Sequence, residues 1–466
     1  MTNLTWRGAT LAVAVFVVTA VGARAQDLTT LFSFNGADGA GPYLGSLIQA
    51  TDGQFYGTTV NGGANDNAGA FFEITPGGSF TLAYSFGFAN AYPQSGVVQA
   101  SDGNFYGTTY AGGESDLGTV YRITPDGQLT TIYSFCVSGE CPGGNTPVSA
   151  LIQGRDGNLY GTTKYGGDVG CNPPLGCGTV FKISLRGILS TLHSFNGSDG
   201  QAPQGALIQA TNGNFYGTTV DSVFEMTPSG AITVLPLLGT EPAAGLVQGA
   251  NGNFYGTTEF GGEGYGTVFE ITSSGAFSEL YIFNLSYGLN PTGALIQATD
   301  GNLYGTTSYG GSGPRPGGTI FKITLDGDFT NIYNFCSLPD CPDGERPYDG
   351  LVQGTNGRFY GTTAGGGSSG DGTIFELNMG LGPFVALSPA AGVVNNTIGI
   401  LGQGLTGTTS VAFNGAAASF TVVSDTYVTA TVPLNATTGP VTVTTPKGNL
   451  SSNQSFQILA AVSARQ

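Results

Sequence analysis

Short apolar segments recur along residues 27–380 in a fixed order, and glycine-rich turn signals separate them. In the third copy they occupy residues 150–153, 159–163, 178–183 and 189–195. Runs of about four to seven residues rich in Val, Ile, Thr, Tyr and Phe are typical of strands rather than helices. The pattern therefore predicts repeated units of four β-strands.

The tetrapeptide Tyr-Gly-Thr-Thr marks the second strand of every unit. Its seven copies, 39 to 56 residues apart, begin at Tyr56, Tyr106, Tyr160, Tyr216, Tyr255, Tyr304 and Tyr360. Asp-Gly or Asn-Gly stands between the first and second strands of each copy, and these dipeptides accept the positive φ of a tight hairpin. Four antiparallel strands repeated at this period are typical of a β-propeller blade.

The two ends of the repeat region predict a closed ring. A fourth-strand pattern occurs at residues 28–34, before the first complete unit, and is missing after the last third strand at 373–377. We expect the N-terminal strand to complete the seventh blade, because this removes the open sheet edges. The alternative is an open solenoid, which is expected to carry atypical capping repeats at both ends.

The repeat units resemble a known family. The segments Leu-Ile-Gln-Ala-x-Asp-Gly-Asn-Phe-Tyr-Gly-Thr-Thr, Gly-Thr-Val-Phe-x-Ile-Thr and Leu-Thr-x-Ile-Tyr-x-Phe are similar to the GloVer tandem repeat of secreted bacterial choice-of-anchor proteins. The resemblance covers about residues 27–380. It implies a secreted or surface β-propeller and supplies no catalytic residues.

Residues 381–459 differ from the repeats in composition. Asp425 is the one acid between Pro383 and Ile458, and short Val/Thr/Ala-rich strands alternate with turns. The segment resembles an IPT/TIG immunoglobulin-like domain, which implies a spacer or interaction module. We therefore predict an all-β chain, with a seven-bladed β-propeller over 26–380, an immunoglobulin-like (IPT/TIG) β-sandwich over 381–459 and a tail over 460–466.

The first 25 residues predict the compartment. Arg7 precedes an apolar run over residues 9–21, and Ala23-Arg24-Ala25 then offers a small-x-small cleavage site. This order is typical of a secretory signal peptide, whereas an uncleaved membrane anchor needs about 20 apolar residues. We expect a mature chain that is secreted, periplasmic or at the cell surface, without an integral membrane span.

Composition and charge narrow the function classes. The 13 Lys and Arg against 30 Asp and Glu give a net charge of −17, which disfavours nucleic acid and anionic lipid as partners. The one histidine, His193, replaces a framework tyrosine of a fourth strand, so a Ser-His-Asp site has no natural place. We predict no catalytic residues. The alternative is an extracellular carbohydrate hydrolase or lyase that uses carboxylates from several blades.

The six cysteines form three local pairs. They are Cys136 with Cys141, Cys171 with Cys177, and Cys336 with Cys341. In an exported chain such pairs predict disulfides. Zinc is the competing interpretation, but the spacings are wide and no histidine accompanies the cysteines.

Aromatic residues after Thr-Thr in four repeats are the candidate ligand-binding positions. They are Tyr110, Tyr165, Phe260 and Tyr309, and they are expected at the rim that carries the long loops and the cysteine pairs. Aromatic faces suit a glycan or protein ligand, although packing between blades explains these residues as well. Acids near this rim could bind Ca²⁺ through carboxylate and carbonyl oxygens, but no Asp-x-Asp-x-Asp-Gly run accompanies them. We therefore expect solvated loop acids and no metal or cofactor; the acids are Asp66, Glu114, Asp116, Asp168, Glu259, Glu263 and Asp371.

A glutamine ends the first strand of every copy. The seven are Gln49, Gln99, Gln153, Gln209, Gln248, Gln297 and Gln353. First strands line a propeller axis, so these amides are expected at the channel, where they tie one blade's backbone to the next. A ligand-binding ring of amides is the alternative. The sequence predicts no oligomeric state.

Overall fold

The computed structural model describes residues 27–137, 141–236, 241–242, 244–313 and 315–459. The expected signal peptide over 1–25 and the expected tail over 460–466 lie outside these ranges. All regular structure in the described ranges is β-structure. No helix in them is long and apolar enough to cross a membrane.

Seven four-stranded antiparallel sheets, numbered 1 to 7 along the chain, make up the described repeat region. The first strands are Ile48–Gln49, Val98–Gln99, Ile152–Gln153, Ile208–Gln209, Val247–Gln248, Ile296–Gln297 and Val352–Gln353. The second strands are Phe55–Thr59, Phe105–Thr109, Leu159–Thr163, Phe215–Thr218, Phe254–Thr258, Leu303–Thr307 and Phe359–Thr363. The third strands are Ala70–Ile74, Thr119–Ile123, Thr179–Ile183, Ser222–Met226, Thr267–Ile271, Thr319–Ile323 and Thr373–Asn378. A further ladder joins Asn90–Ala91 to Ala111–Gly112.

The fourth strand of sheet 7 comes from the other end of the chain. Asp27–Ser33 pairs antiparallel with Thr373–Asn378, from Asp27 opposite Asn378 to Ser33 opposite Thr373. The following residue, Phe34, is fully buried. The other fourth strands are Phe80–Ser85, Leu129–Ser134, Leu189–Ser194, Ile232–Pro236, Phe277–Ile282 and Phe329–Asn334. The last sheet therefore has no open edge at its third strand.

Tyr-Gly-Thr-Thr packs each sheet against the next. The Tyr216 ring stacks on Phe254 of the following sheet at 4.0 Å, and Tyr360 meets Phe55 of sheet 1 at 4.1 Å between ring centroids. The glycine leaves room for two core side chains. A Cβ on Gly161 would lie 2.6 Å from Leu151 Cδ2 and 2.7 Å from the ring of Phe181. Such overlap explains why no side chain fits there.

The Asp-Gly and Asn-Gly turns use their side chains as caps. Positive φ occurs at the glycine, such as Gly53 (84°), and not at Asp52, which corrects the expectation that both residues accept it. The Asp52 carboxylate instead accepts the Gln54 N–H at 2.9 Å and the Tyr56 hydroxyl at 2.7 Å. Where the turn holds Asn, a glutamate of the third strand accepts the tyrosine hydroxyl in its place: Glu225, Glu270 and Glu376.

The C-terminal segment forms two packed four-stranded sheets. One contains Ala386–Ser388, Thr397–Leu401, Tyr427–Thr431 and Phe420–Val422, and the other contains Ala416–Ala417, Ser410–Phe413, Val441–Thr445 and Gly448–Ser451. Ala391–Gly392 and Gln457–Ile458 form a short parallel pair. The sheets share an apolar core that includes Ile400, Phe413, Val428 and Phe456. The Thr426 hydroxyl donates to the Thr51 carbonyl (2.8 Å), and the Phe384 N–H donates to the Thr355 carbonyl (3.0 Å), so this segment contacts sheets 1 and 7.

Candidate binding site on the long-loop face

Antiparallel strand order gives the repeat region two unlike faces. The turn face carries the short connections between first and second strands and between third and fourth strands. The long-loop face carries the connections between second and third strands and from each fourth strand to the next sheet. The C-terminal segment contacts the turn face, because Thr51 and Thr355 both lie in first-to-second-strand turns.

On the turn face, glutamine amides connect neighbouring sheets in a closed circle. Gln99 accepts the N–H of Thr51 in the preceding sheet through Oε1 (2.9 Å) and donates from Nε2 to the Gly103 carbonyl (3.2 Å). Gln49 closes the circle by accepting the N–H of Thr355 (2.9 Å). The other members with both bonds are Gln153, Gln209, Gln248, Gln297 and Gln353. Both ends of each amide are therefore used by backbone groups.

A crevice between first strands lies near this circle. Its volume is about 330 Å³, and Ser46, Gln297, Gln353 and Asn453 are among its lining residues. No acidic, basic or histidine side chain lines it, and the two glutamines already bond to backbone. Its walls therefore offer no acid–base chemistry.

Large exposed apolar side chains of the repeat region concentrate on the long-loop face. Among described residues they are Tyr43, Phe88, Tyr110, Val137, Val169, Leu175, Phe260, Ile282, Leu285, Tyr287, Tyr309 and Leu338. The turn face exposes Ile188. Because apolar side chains gathered on one surface are typical of an interaction site, the long-loop face is the candidate binding face.

The four aromatic positions singled out in the sequence do not form one group. Tyr110 directly follows Thr109, whereas Tyr165, Phe260 and Tyr309 stand two residues after their threonines, so the four are not equivalent as the pattern suggested. Tyr110, Phe260 and Tyr309 are exposed, and Tyr165 is half-buried with the Lys164 ammonium 5.6 Å from its ring centroid. None of the four rings stacks on another of them among the described aromatic pairs.

The three cysteine pairs are disulfides on this face. They join Cys136 to Cys141, Cys171 to Cys177 and Cys336 to Cys341. Three side chains of metal-ligating types converge in the described residues, at Cys336, Cys341 and Glu345, but the two sulfurs there are bonded to each other. The acids considered for Ca²⁺ do not meet in such a group.

Three tyrosines from distant parts of the chain come together on the long-loop face. The Tyr43 and Tyr348 rings lie 4.3 Å apart between centroids, and the Tyr309 and Tyr348 hydroxyls are 2.6 Å apart. The Tyr309 and Tyr348 rings are nearly perpendicular at 84°. The Arg346 guanidinium lies 5.8 Å from the Tyr309 ring centroid. We call Tyr43, Tyr309, Tyr348 and Arg346 the tyrosine site, and we include Glu259 because its charge acts on Tyr43.

Burial and a neighbouring carboxylate set the protonation of this site. Burial, then the charge of Glu259, raises the pKa of Tyr43, and burial together with the Tyr309 hydroxyl raises that of Tyr348. Burial also raises the pKa of Glu259, and the nearby Glu241 charge adds to this effect. The phenols of Tyr43 and Tyr348 therefore remain protonated and can donate hydrogen bonds.

Tyr43 and Tyr348 were missed in the sequence, although a repeat signal marks them. Each follows the proline that precedes a first strand, in Pro42-Tyr43 and Pro347-Tyr348. This proline packs on a glycine of the preceding sheet, with Pro347 Cδ 2.7 Å from where a Cβ of Gly318 would lie. The other described copies place Gln94, Val148, Gln204 and Thr292 after the proline. At this position the tyrosines differ from the residues of the other repeat units, and this difference, rather than a repeated residue, marks the site.

Solved structures place the fold in a broad class. The chain is similar to a streptogramin B lyase, with 16% identity, TM-score 0.54 and coverage of 76% of this chain and 97% of that chain. It is also similar to catalytically inactive virginiamycin B lyase from Staphylococcus aureus with quinupristin, with 17% identity, TM-score 0.55 and coverage of 76% and 99%. The extracellular domain of a protein described as a hybrid two component system from B. thetaiotaomicron matches at 11% identity, TM-score 0.51 and coverage of 94% and 59%. At these identities the likeness shows the fold alone, that of an all-β, propeller-like repeat protein.

The family follows from the sequence itself. The chain belongs to the Gloeobacter/Verrucomicrobia repeat family, which matches residues 6–223 and 221–419. This confirms the resemblance to the GloVer repeat. No curated protein matches the chain.

Proposed function

We propose that this chain is a secreted, periplasmic or surface-held recognition protein that binds a glycan or protein ligand through the long-loop face. The supporting observation is the concentration of exposed apolar side chains on that face, from Phe88 to Leu338. The turn face differs because its polar side chains are committed to the glutamine circle and the C-terminal segment contacts it. A scaffold with one such free face is suited to binding.

The proposed organisation follows the sequence boundaries. After a signal peptide over 1–25, residues 26–380 form a seven-bladed β-propeller closed by the N-terminal strand, and 381–459 form an IPT/TIG-like β-sandwich. The disulfides support an oxidising compartment. The extracellular propeller-like domain from B. thetaiotaomicron is in keeping with this location.

Matched surface variants test the proposed face. Phe88→Glu changes an exposed apolar residue of the long-loop face, and Ile188→Glu does the same on the turn face; their exposed fractions are 63% and 71%. The full chain and both variants would be applied to a glycan array and to isolated bacterial envelope. We expect Phe88→Glu to weaken binding and Ile188→Glu to leave it unchanged. Equal loss in both variants, or no binding by the full chain, would contradict the proposal.

A carbohydrate hydrolase or lyase is the second candidate function. It is favoured by Glu259, whose raised pKa beside Glu241 suits a general acid, and by the likeness to two lyases. The His193 imidazole is hydrogen-bonded to the Asp199 carboxylate, with 2.9 Å between Nε2 and Oδ2, and does not belong to the tyrosine site. Incubation with polysaccharide panels would test the candidate by the appearance of new reducing ends or unsaturated products. Unchanged turnover by Glu259→Gln would remove Glu259 as the acid.

A further inference from the structure

The tyrosine site offers both an aromatic platform and a mixed set of hydrogen-bonding groups. Tyr43 and Tyr309 are exposed at the surface, and Tyr348 lies between them with contacts to both. The Arg346 guanidinium lies 5.8 Å from the Tyr309 ring centroid, and Glu259 is near enough for its charge to raise the pKa of Tyr43. We propose that this site binds one sugar residue of a neutral glycan, stacked on an exposed tyrosine face; this deepens, and rests on, the proposed function of the long-loop face.

Polyhydroxylated ligands need the combination found here. One face of a pyranose carries C–H groups that pack on an aromatic ring, while its hydroxyls both donate and accept hydrogen bonds. The phenols and the Arg346 guanidinium donate, and the Glu259 carboxylate accepts. A ligand with hydroxyls on both sides of an apolar patch uses all of these groups.

The position of Arg346 argues against a cationic ligand. Its guanidinium already lies 5.8 Å from the Tyr309 ring centroid. A quaternary ammonium in the same corner would have to displace this guanidinium or accept its repulsion. A cation is therefore the poorer fit, despite the three aromatic rings.

The charges around the site argue against an acidic ligand. The Glu241 charge raises the pKa of Glu259, the Glu259 charge raises that of Tyr43, and the Glu345 carboxylate lies 4.0 Å from the Arg346 guanidinium. The full chain carries a net charge of −17. A uronate or sialylated sugar would meet this field with one partly neutralised arginine, so a neutral sugar is favoured.

The platform is held in place before any ligand arrives. The Thr292 hydroxyl donates to the Tyr348 carbonyl at 2.8 Å, and the Tyr309 and Tyr348 hydroxyls bond to each other. Arg346 and Tyr348 follow the loop closed by the Cys336–Cys341 disulfide. Because little rotamer freedom is left to lose, binding carries a smaller entropic penalty.

Tyr43 and Tyr110 form a matched pair for the test. Both are tyrosines of the long-loop face, with exposed fractions of 43% and 41%, but Tyr110 is not among the rings that pack in the tyrosine site. The full chain, Tyr43→Ala, Tyr348→Ala and Tyr110→Ala would be compared on a glycan array and by calorimetric titration with the best oligosaccharide. We expect at least a tenfold loss of affinity for the first two variants and less than a twofold change for Tyr110→Ala.

Further variants separate the ligand class from the place of binding. Tyr43→Phe and Tyr348→Phe keep the rings, so they should lose less affinity than the alanine variants at an unchanged melting temperature. Glu259→Gln keeps an acceptor oxygen and removes the charge, so it should weaken binding of a neutral sugar less than Tyr43→Ala does. A cationic ligand would lose its counter-charge and should be weakened more than by Tyr43→Ala. Array hits restricted to acidic or amino sugars would overturn the neutral assignment.

The inference and the proposed function fail in different ways. If Tyr43→Ala and Tyr348→Ala bind glycan as the full chain does while Phe88→Glu does not, the tyrosine site is wrong and the face stands. If the full chain binds envelope protein but no glycan, the inference is overturned while recognition stands. If nothing binds, both are overturned.

Discussion

The two faces of the repeat region differ in what their side chains contact. On the turn face, side chains such as Gln99 and Asp52 bond to nearby backbone, and the same bonds recur from sheet to sheet. On the long-loop face, Tyr43, Phe88 and Tyr110 are exposed and have no equivalent in most copies. Residues repeated in every unit serve the architecture, and residues that break the repeat form the candidate site.

The N-terminal strand that completes sheet 7 is expected to contribute most to stability, so its removal should have the largest effect. Removing residues 27–34 leaves the third strand of sheet 7 with an open edge and takes fully buried Phe34 out of the core. We expect the main cooperative unfolding transition, followed by calorimetry, to be lost or strongly lowered.

A chain that ends at residue 380 is the control for this deletion. It keeps every strand of the seven sheets, so its main transition should remain. Equal stability of the chains with and without residues 27–34 would show that ring closure is not needed.

Asp349, in the connection that leads into the first strand of sheet 7, is expected to show the next largest effect. Its carboxylate is buried and accepts the Ser46 hydroxyl at 2.6 Å, while Oδ2 has no hydrogen-bond partner. Burial raises its pKa to about 6. The folded state thus holds the proton of Asp349 more tightly than the unfolded chain, in which the pKa of an Asp is about 3.9. The protonated carboxyl group therefore contributes its full share to the free energy of unfolding below about pH 4, and this contribution is lost as pH rises through about 6.

Asp349→Asn removes this dependence. At pH 7 the variant should be more stable than the original chain by up to about 3 kcal/mol, from two pKa units of about 1.4 kcal/mol each. Urea unfolding from pH 4 to 8 measures the difference, which should shrink toward the acid end. A pH-independent difference would contradict the titration of Asp349.

Two disulfides of the long-loop face are expected to contribute equally to stability but differently to ligand binding. Replacing Cys336 and Cys341 by alanine should cost about 2 kcal/mol in the chain-entropy view, and the same holds for Cys171 and Cys177. Only the first replacement loosens the loop next to Arg346 and Tyr348. Glycan titration should therefore show weaker binding for the first double variant and unchanged binding for the second.

The smallest expected effect concerns the glutamine circle. Gln49→Ala leaves the Thr355 N–H and the Gly53 carbonyl without the amide, which should cost about 1–2 kcal/mol. Ligand affinity should not change, because Gln49 belongs to the turn face. Gln128→Ala, at an exposed position of another turn, is the control and should leave the melting temperature unchanged. A ligand-binding ring of amides would instead lose affinity in Gln49→Ala.

The sequence by itself determined the four-stranded unit, the cysteine pairs and the family. Each depends on short-range signals: Tyr-Gly-Thr-Thr with its preceding Asp-Gly turn, or two cysteines a few residues apart. The glycine of Tyr-Gly-Thr-Thr, such as Gly161, also recurs in every unit, although only the structure shows the two core side chains that exclude a Cβ there. Local patterns of this kind determine local structure because their partners lie within one unit.

The tertiary structure alone decided the tyrosine site. Tyr43 and Tyr348 are about three hundred residues apart, and they meet because the first and last sheets are neighbours. Their loops differ in length, so no sequence spacing aligns them. The pattern after Thr-Thr likewise does not distinguish Tyr110 from Tyr309, which stands one position further from its threonine. Contacts between residues far apart in the chain depend on how the first and last sheets meet. Neither residue of such a pair indicates in the sequence which residue it will contact.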